Sequence, residues 1–218
     1  MLVTALLASL AACHPAVRTL PPLPSIVTAA ADSSLRPLFE SGTTFADFVA
    51  AATARREGWL RLQREAAIDP ALLTRARAVP GQWQLLVVAV DACGDSMNSV
   101  PYAARLADSV PSLTLRIVAP AAGRAVQEGH RSPDGRAATP TFVLLDARGA
   151  DVGCLVELPA PLRQWTDSAR KVVTSDSVYA YRRAFYDRDR GASLVTELVE
   201  VLEAAASGRP RCDRQGAR

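Results

Sequence analysis

The chain has 218 residues, of which 49% are apolar, 22% charged and 6% aromatic. That is the balance of a folded domain, and it excludes a disordered, collagen-like or disulfide-dense chain. Lys and Arg total 25 against 22 Asp and Glu, and a formal charge of +3 is too even for a nucleic-acid surface.

Residues 1–12, MLVTALLASLAA, carry no charge. They fall short of the roughly 20 apolar residues of a membrane-spanning helix, and they fit the apolar core of a secretory signal, the plainer reading being a buried N-terminal helix. The run ends Leu10-Ala11-Ala12-Cys13, which resembles the bacterial lipoprotein signal, cleaved just before a Cys. The resemblance implies a signal peptide over 1–12 and a lipid anchor on Cys13. It also implies a place in the bacterial cell envelope facing the periplasm, at the outer membrane rather than the inner, because no Asp follows the Cys. The sequence departs from that signal in having no Lys or Arg ahead of the apolar run. Residues 13–40 hold several prolines without periodicity and read as an extended tether.

The folded domain is expected over 41–207, followed by a polar tail over 208–218. Thr43 or Thr44 caps a helix that runs through Phe45 and Phe48 to about Gly58. Asp69-Pro70 starts a short helix, with Asp as the cap and Pro in the first turn. Gln84 to Val90, QLLVVAV, is a continuous β-branched run and reads as a strand buried on both faces. Helical spacing follows from Cys93 to Ala107, then a strand over Leu113–Val118 and a short helix over Ala121–Gly129. Ser132-Pro133-Asp134-Gly135 is a turn. Thr141–Leu145 and Val152–Leu158 are strands joined by an Asp146–Gly149 hairpin turn. Helices near Pro161–Lys171, Asp176–Tyr186 and Leu194–Ala206 complete the chain.

This order predicts an α/β fold. A βαβ crossover makes the first two strands parallel, and the hairpin makes the last two antiparallel. The result is a four-stranded mixed sheet flanked by helices, with extra helices at both ends.

The chemistry concentrates in Asp91-Ala92-Cys93-Gly94-Asp95-Ser96. Cys93 stands where a buried strand ends and a helix begins, and the unpaired N–H groups of a helix start support a thiolate. Pro101, eight residues on, kinks that helix. The plainer reading of Cys93 is a small buried side chain.

Together these residues resemble the thioredoxin family, in which a strand, a Cys-Gly-x-Cys motif and a helix with a Pro at this spacing recur. The closest likeness is to a bacterial group with Cys-Gly-Asp in place of Cys-Gly-Pro-Cys. The resemblance implies a thioredoxin-like fold and a nucleophilic Cys93 flanked by Ala92 and Gly94. It also implies a cis Thr139-Pro140 bond beside Cys93, whose backbone could pair with a substrate chain. Three departures stand out. Ser96 holds the resolving position, Ala92 replaces the usual Trp, and Val87 replaces the buried acid of the central strand. A dithiol cycle inside the motif is therefore impossible. A lone Cys93 can still attack a disulfide or form a sulfenic acid. Ser96 could donate a hydrogen bond to the sulfur, while Asp95 suits the helix start but opposes a thiolate by like charge.

Cys154 and Cys212 could form a structural disulfide that pins the tail. Alternatively Cys212 could resolve Cys93, or the two could stay unpaired or bond between molecules. The four cysteines show no metal-ligand spacing, so no metal and no cofactor are expected. His130 reads as a solvated loop residue and Asp91 as a strand-end cap rather than an acid supporting Cys93. The stretch Tyr181 to Arg190, YRRAFYDRDR, reads as a solvated helix face, since Asp187 and Asp189 interleave its cations. The expected function is monothiol exchange or redox sensing with a thiol or disulfide protein or a small thiol. The rival is a non-catalytic binding or scaffold lipoprotein.

Overall fold

In the computed structural model residues 34–212 are described. The expected signal peptide, Cys13 and most of the tether lie outside the described residues. The apolar run that reads as a central strand forms β1 (Trp83–Val88), with Leu86, Val87 and Val88 fully buried. It pairs in parallel with β2 (Leu113–Val118), Trp83 opposite Leu113. On its other side it pairs antiparallel with β3 (Thr141–Leu145), Val88 opposite Thr141. The parallel pair needs a crossover, and α5 (Gly94–Ser109) supplies it. Strand β3 pairs antiparallel with β4 (Asp151–Val156) across the expected hairpin.

Among the described residues the sheet has five strands, in the order β2-β1-β3-β4-β5. The strand that sequence reading missed is β5 (Arg211–Cys212), parallel to β4 with Cys212 opposite Cys154. Two residues of polar tail carry no strand signal of their own; their pairing is set by contacts with β4.

The helices are α1 (Arg36–Ser41), α2 (Phe45–Ala51), α3 (Arg56–Glu65), α4 (Pro70–Ala78), α6 (Arg124–Gly129), α7 (Ala160–Ala169), α8 (Ser175–Asp189) and α9 (Ala192–Ala206). Thr44 caps α2 through the N–H of Asp47, and Asp69 caps α4 through the N–H of Ala71. The single helix expected up to Gly58 is two. The N–H groups of Thr53 and Ala54 bind the Asp91 carboxylate instead of continuing a helix, and the Arg56 guanidinium takes the carbonyls of Ala50 and Ala52. Helix α1 lies inside the stretch read as tether. It buries Phe39 and is fastened by the Leu35 N–H on the Gly149 carbonyl at 2.8 Å. A Cβ on Gly149, whose φ is +82°, would lie 2.8 Å from the Arg36 nitrogen.

Alternation along the strands sends neighbouring residues to opposite faces. Leu85, Val87, Phe142, Leu144 and Leu155 pack with Trp59, Leu106 and Val199 on one face. Leu86, Val88, Val143, Leu145, Cys154 and Val156 pack with Phe39 and Val126 on the other. Each such side chain contributes about 1.5–3 kcal/mol by leaving water. Among the described residues no helix is long and apolar enough to cross a membrane.

Candidate functional site

Cys93 takes the cap position of α5 in extended backbone, so its side chain meets the open N–H groups of the first turn. Its Sγ accepts the Ser96 N–H at 3.4 Å. The same sulfur donates to the Thr139 carbonyl at 3.3 Å. The Thr139-Pro140 bond is cis. Two segments far apart in sequence thus meet at one half-buried thiol, which is a free cysteine. Pro101 lies buried inside α5.

Ser96 serves the sulfur through its backbone and not through the expected hydroxyl. Its side chain is fully buried and Oγ has no hydrogen-bond partner. Asp95 likewise departs from expectation. Its carboxylate turns to α8, where the Arg182 guanidinium and the Tyr186 hydroxyl, at 2.8 Å, both donate to it. Burial pushes the Asp95 carboxyl up, only partly offset by Arg182 and Tyr186. The Tyr186 phenol is pushed well up by the same burial and by the Asp95 charge.

A chain of opposite charges continues from there. Arg182 lies 3.6 Å from Glu157, and Glu157 lies 2.7 Å from Arg136. Arg136 lies 2.7 Å from Asp134, which Arg170 meets at 2.9 Å. Burial works against the Asp134 charge, but hydrogen bonds from Arg136 and Ser132 hold its carboxyl well below the usual range. Glu157 follows β4 at a φ of +62°, with its N–H on the Pro140 carbonyl at 2.8 Å. The stretch read as a solvated face therefore buries Arg182 and Tyr186 and stacks Tyr181 on Trp165 at 3.5 Å. Sequence could not show this, because the acid that draws Arg182 inward is 87 positions away.

Ala92 is exposed. Its carbonyl accepts the Arg55 Nε–H at 2.7 Å. The Arg55 guanidinium carbon would lie 3.7 Å from a Cβ on Gly94. Arg55 adopts a φ of +53° at the start of α3, and it brings a permanent cation to the Cys93 corner. Nothing in the local pattern Ala54-Arg55-Arg56-Glu57 marks that role. Asp91, expected as a strand-end cap, turns its carboxylate to the Thr53 and Ala54 N–H groups between α2 and α3. Hydrogen bonds from the Ala54 and Thr53 N–H groups hold its carboxyl below the usual range, and its backbone carbonyl accepts the Trp59 indole N–H at 3.0 Å. Trp59 thus ties α3 to the loop that carries Cys93.

The remaining candidates lie elsewhere. Cys154 and Cys212 are joined as a disulfide with Cα atoms 4.4 Å apart, so Cys212 is held at the sheet edge and is not a mobile partner for Cys93. His130 is 5% exposed and not solvated. Its Nδ1 lies 2.8 Å from the Val126 carbonyl and its Nε2 2.6 Å from the Asp151 carboxylate.

Among curated proteins none matches this chain. Solved structures that match include a protein of unknown function from Pseudomonas aeruginosa. It is 21% identical with a TM-score of 0.58, over 81% of this chain and 98% of that one. An HIV epitope-scaffold matches with 20% identity and a TM-score of 0.57, over 81% of this chain and 99% of the other. At these identities the likeness speaks for the fold alone. A family model described as Thioredoxin matches residues 42–170, a span that takes in Cys93, Pro101 and the cis Thr139-Pro140 bond. The chain belongs to the thioredoxin family.

Proposed function

We propose that this thioredoxin-fold protein works as a monothiol exchanger or thiol redox sensor through Cys93, held at the cell envelope by a lipid on Cys13. One observation carries the reading: a half-exposed sulfur at the start of α5, 3.3 Å from the carbonyl of Thr139 in a cis bond to Pro140. The Ser96 N–H aimed at that sulfur is the second backbone contact behind the reading. The exchange step balances without a cofactor. The Cys93 thiolate attacks one sulfur of a partner disulfide, a Cys93–partner bond forms and the old S–S bond breaks. The expelled thiolate then takes up a proton. A second thiol from the partner or a small thiol later frees Cys93, because Ser96 cannot. Ala92 and Gly94 border the sulfur, and the Thr139 backbone offers the edge on which a partner strand would lie.

The test is the alkylation rate of Cys93 at neutral pH in the non-reduced protein, together with partner capture by wild-type protein and by Cys93→Ser. Exchange requires Cys93 to alkylate several-fold faster than free cysteine, and mixed disulfides to vanish in the variant. A second reading, a non-catalytic binding module, draws on Ser96 and Ala92 standing where the family carries Cys and Trp. Capture that persists in Cys93→Ser, with a Cys93 no faster than free cysteine, would establish it instead.

A further inference from the structure

We propose that His130, Cys154 and Cys212 form a site for a thiophilic divalent cation of the zinc type, closed while the disulfide stands and opened by its reduction. A ring nitrogen of His130 and the two sulfurs all lie within 4.8 Å of one another. Two thiolates and one imidazole are a recurrent zinc donor set, and around a tetrahedral ion such atoms stand roughly 3.5 Å apart. The ring is asked to close in by about an ångström at most, and the sulfurs to part by about 1.5 Å or more from the length of an S–S bond. No sequence spacing announces this set, since its members come from the end of α6, from β4 and from β5.

The surroundings are those of a prepared site. His130 follows α6, and its Nδ1 meets the carbonyl of Val126, one turn back, at 2.8 Å. A ligating imidazole commonly carries such a carbonyl on its other nitrogen, which fixes the ring. The Asp151 carboxylate, 2.6 Å from Nε2, stands outside the three converging donors, so the fourth place of a tetrahedral ion falls to water. Cys154 is 2% exposed, whereas Cys212 is only partly buried, so Cys212 is the more open of the two sulfurs. The register places Cys212 opposite Cys154 through the backbone, which keeps the sulfurs facing each other once the bond is gone. Yet β5 has two residues, and the Arg211–Glu200 ion pair is largely exposed. With the disulfide reduced, the pairing with β4 and that ion pair still hold the strand among the described residues, and a bound ion would restore the fastening the bond gave.

The steps balance. A dithiol reductant passes two electrons and two protons to the Cys154–Cys212 bond, which becomes two thiols while the reductant becomes a disulfide. The cation then displaces both thiol protons to solvent, with no further electron transfer.

Full-length protein in a Cys13→Ser, Cys93→Ser background isolates the two thiols. Reduced with a phosphine under anaerobic conditions and titrated with Co2+, it should bind one equivalent with a thiolate-to-cobalt charge-transfer band. Zn2+ should then displace that cobalt. His130→Ala should weaken binding at least tenfold, on the order of a lost ligand or its support. The air-oxidised protein of the same sequence should bind none, and Zn2+ should raise the melting temperature of the reduced form alone. The proposal is overturned if the reduced protein takes up no cobalt, if the oxidised protein binds equally well, or if His130→Ala binds with unchanged affinity. Should His130→Ala fail to fold, the two redox forms of the parent decide the matter, because zinc must distinguish them. Cys93 takes no part in these readouts, so they are independent of the exchange reading.

Discussion

Two sulfur sites divide this molecule. Cys93 is half-buried at a helix start, and among the described residues its sulfur is held by backbone, an N–H three residues on and the carbonyl of Thr139. Cys154 is buried within an apolar layer beside Val143 and Val156, and its sulfur is covalently bonded. The first arrangement leaves a sulfur available and asks neighbouring structure to keep it in place. The second spends a sulfur to close the sheet edge. Reactivity and closure thus draw on the same element through opposite degrees of burial, and each site can be perturbed separately.

The largest effect should come from the support under Cys93. Trp59 is fully buried and its indole N–H holds the Asp91 carbonyl. Trp59→Ala should cost about 4 kcal/mol, by lost burial plus a cavity, read from urea denaturation midpoints. Trp59→Phe, which keeps much of the ring and loses the hydrogen bond, should recover more than half. A loss below about 1 kcal/mol in Trp59→Ala would show that the Cys93 corner does not depend on α3.

How much of this was legible in the sequence follows from how local each feature is. Strands β1 to β4, the cap at Cys93 and the start of α4 rest on runs of a few residues, and sequence reading finds them. The Cys93 and Pro140 pairing is long-range, and it was reached through resemblance to a family, not through periodicity. What stayed hidden joins distant residues with no pattern of their own: Arg182 on Asp95, Arg55 on the Ala92 carbonyl, and His130 beside Cys154 and Cys212. A cation among cations, or a histidine in a loop, looks solvated until the fold supplies its partner.

Arg182 and Asp95 give the next effect. Removing one member of a buried pair leaves the other charge uncompensated, so Arg182→Met should cost about 3 kcal/mol at neutral pH. The pH dependence has a definite sign. Burial raises the Asp95 carboxyl in the folded protein. Its contribution to stability is therefore full below the ordinary carboxylate range and is lost as pH rises through the raised value. Without Arg182 that carboxyl rises further, so the deficit of Arg182→Met against wild type should shrink as pH falls toward about 4. Melting temperatures of the pair across pH would show it, and a deficit constant with pH would separate Asp95 from the effect. Asp95→Asn should be milder, within about 1 kcal/mol, since it removes a desolvated charge while Glu157, 3.6 Å away, still faces Arg182.

The two sulfurs themselves should then diverge. Cys212→Ser opens a link across 58 residues and should cost roughly 2–3 kcal/mol under non-reducing conditions. Cys93→Ser, which exchanges one small half-exposed side chain for another, should stay within about 0.5 kcal/mol. Equal losses for both would erase the distinction between an available sulfur and a fastening one.

The smallest effect belongs to Arg55, and it bears on reactivity rather than on folding. Its guanidinium donates to the Ala92 carbonyl beside the sulfur and packs over Gly94, while Asp95 spends its charge on Arg182. The field met by a reagent approaching Cys93 should therefore be positive. An anionic reagent such as iodoacetate should gain from it, whereas neutral iodoacetamide should not. Arg55→Ala should lower the ratio of the two alkylation rates roughly two- to threefold, the scale of an exposed charge interaction, and 0.5 M salt should shrink the difference by screening. Taking the ratio removes any change in the thiol itself, which affects both reagents alike. A ratio unmoved by the substitution would place the Arg55 charge outside the path to the sulfur and reduce its role to holding the Ala92 carbonyl.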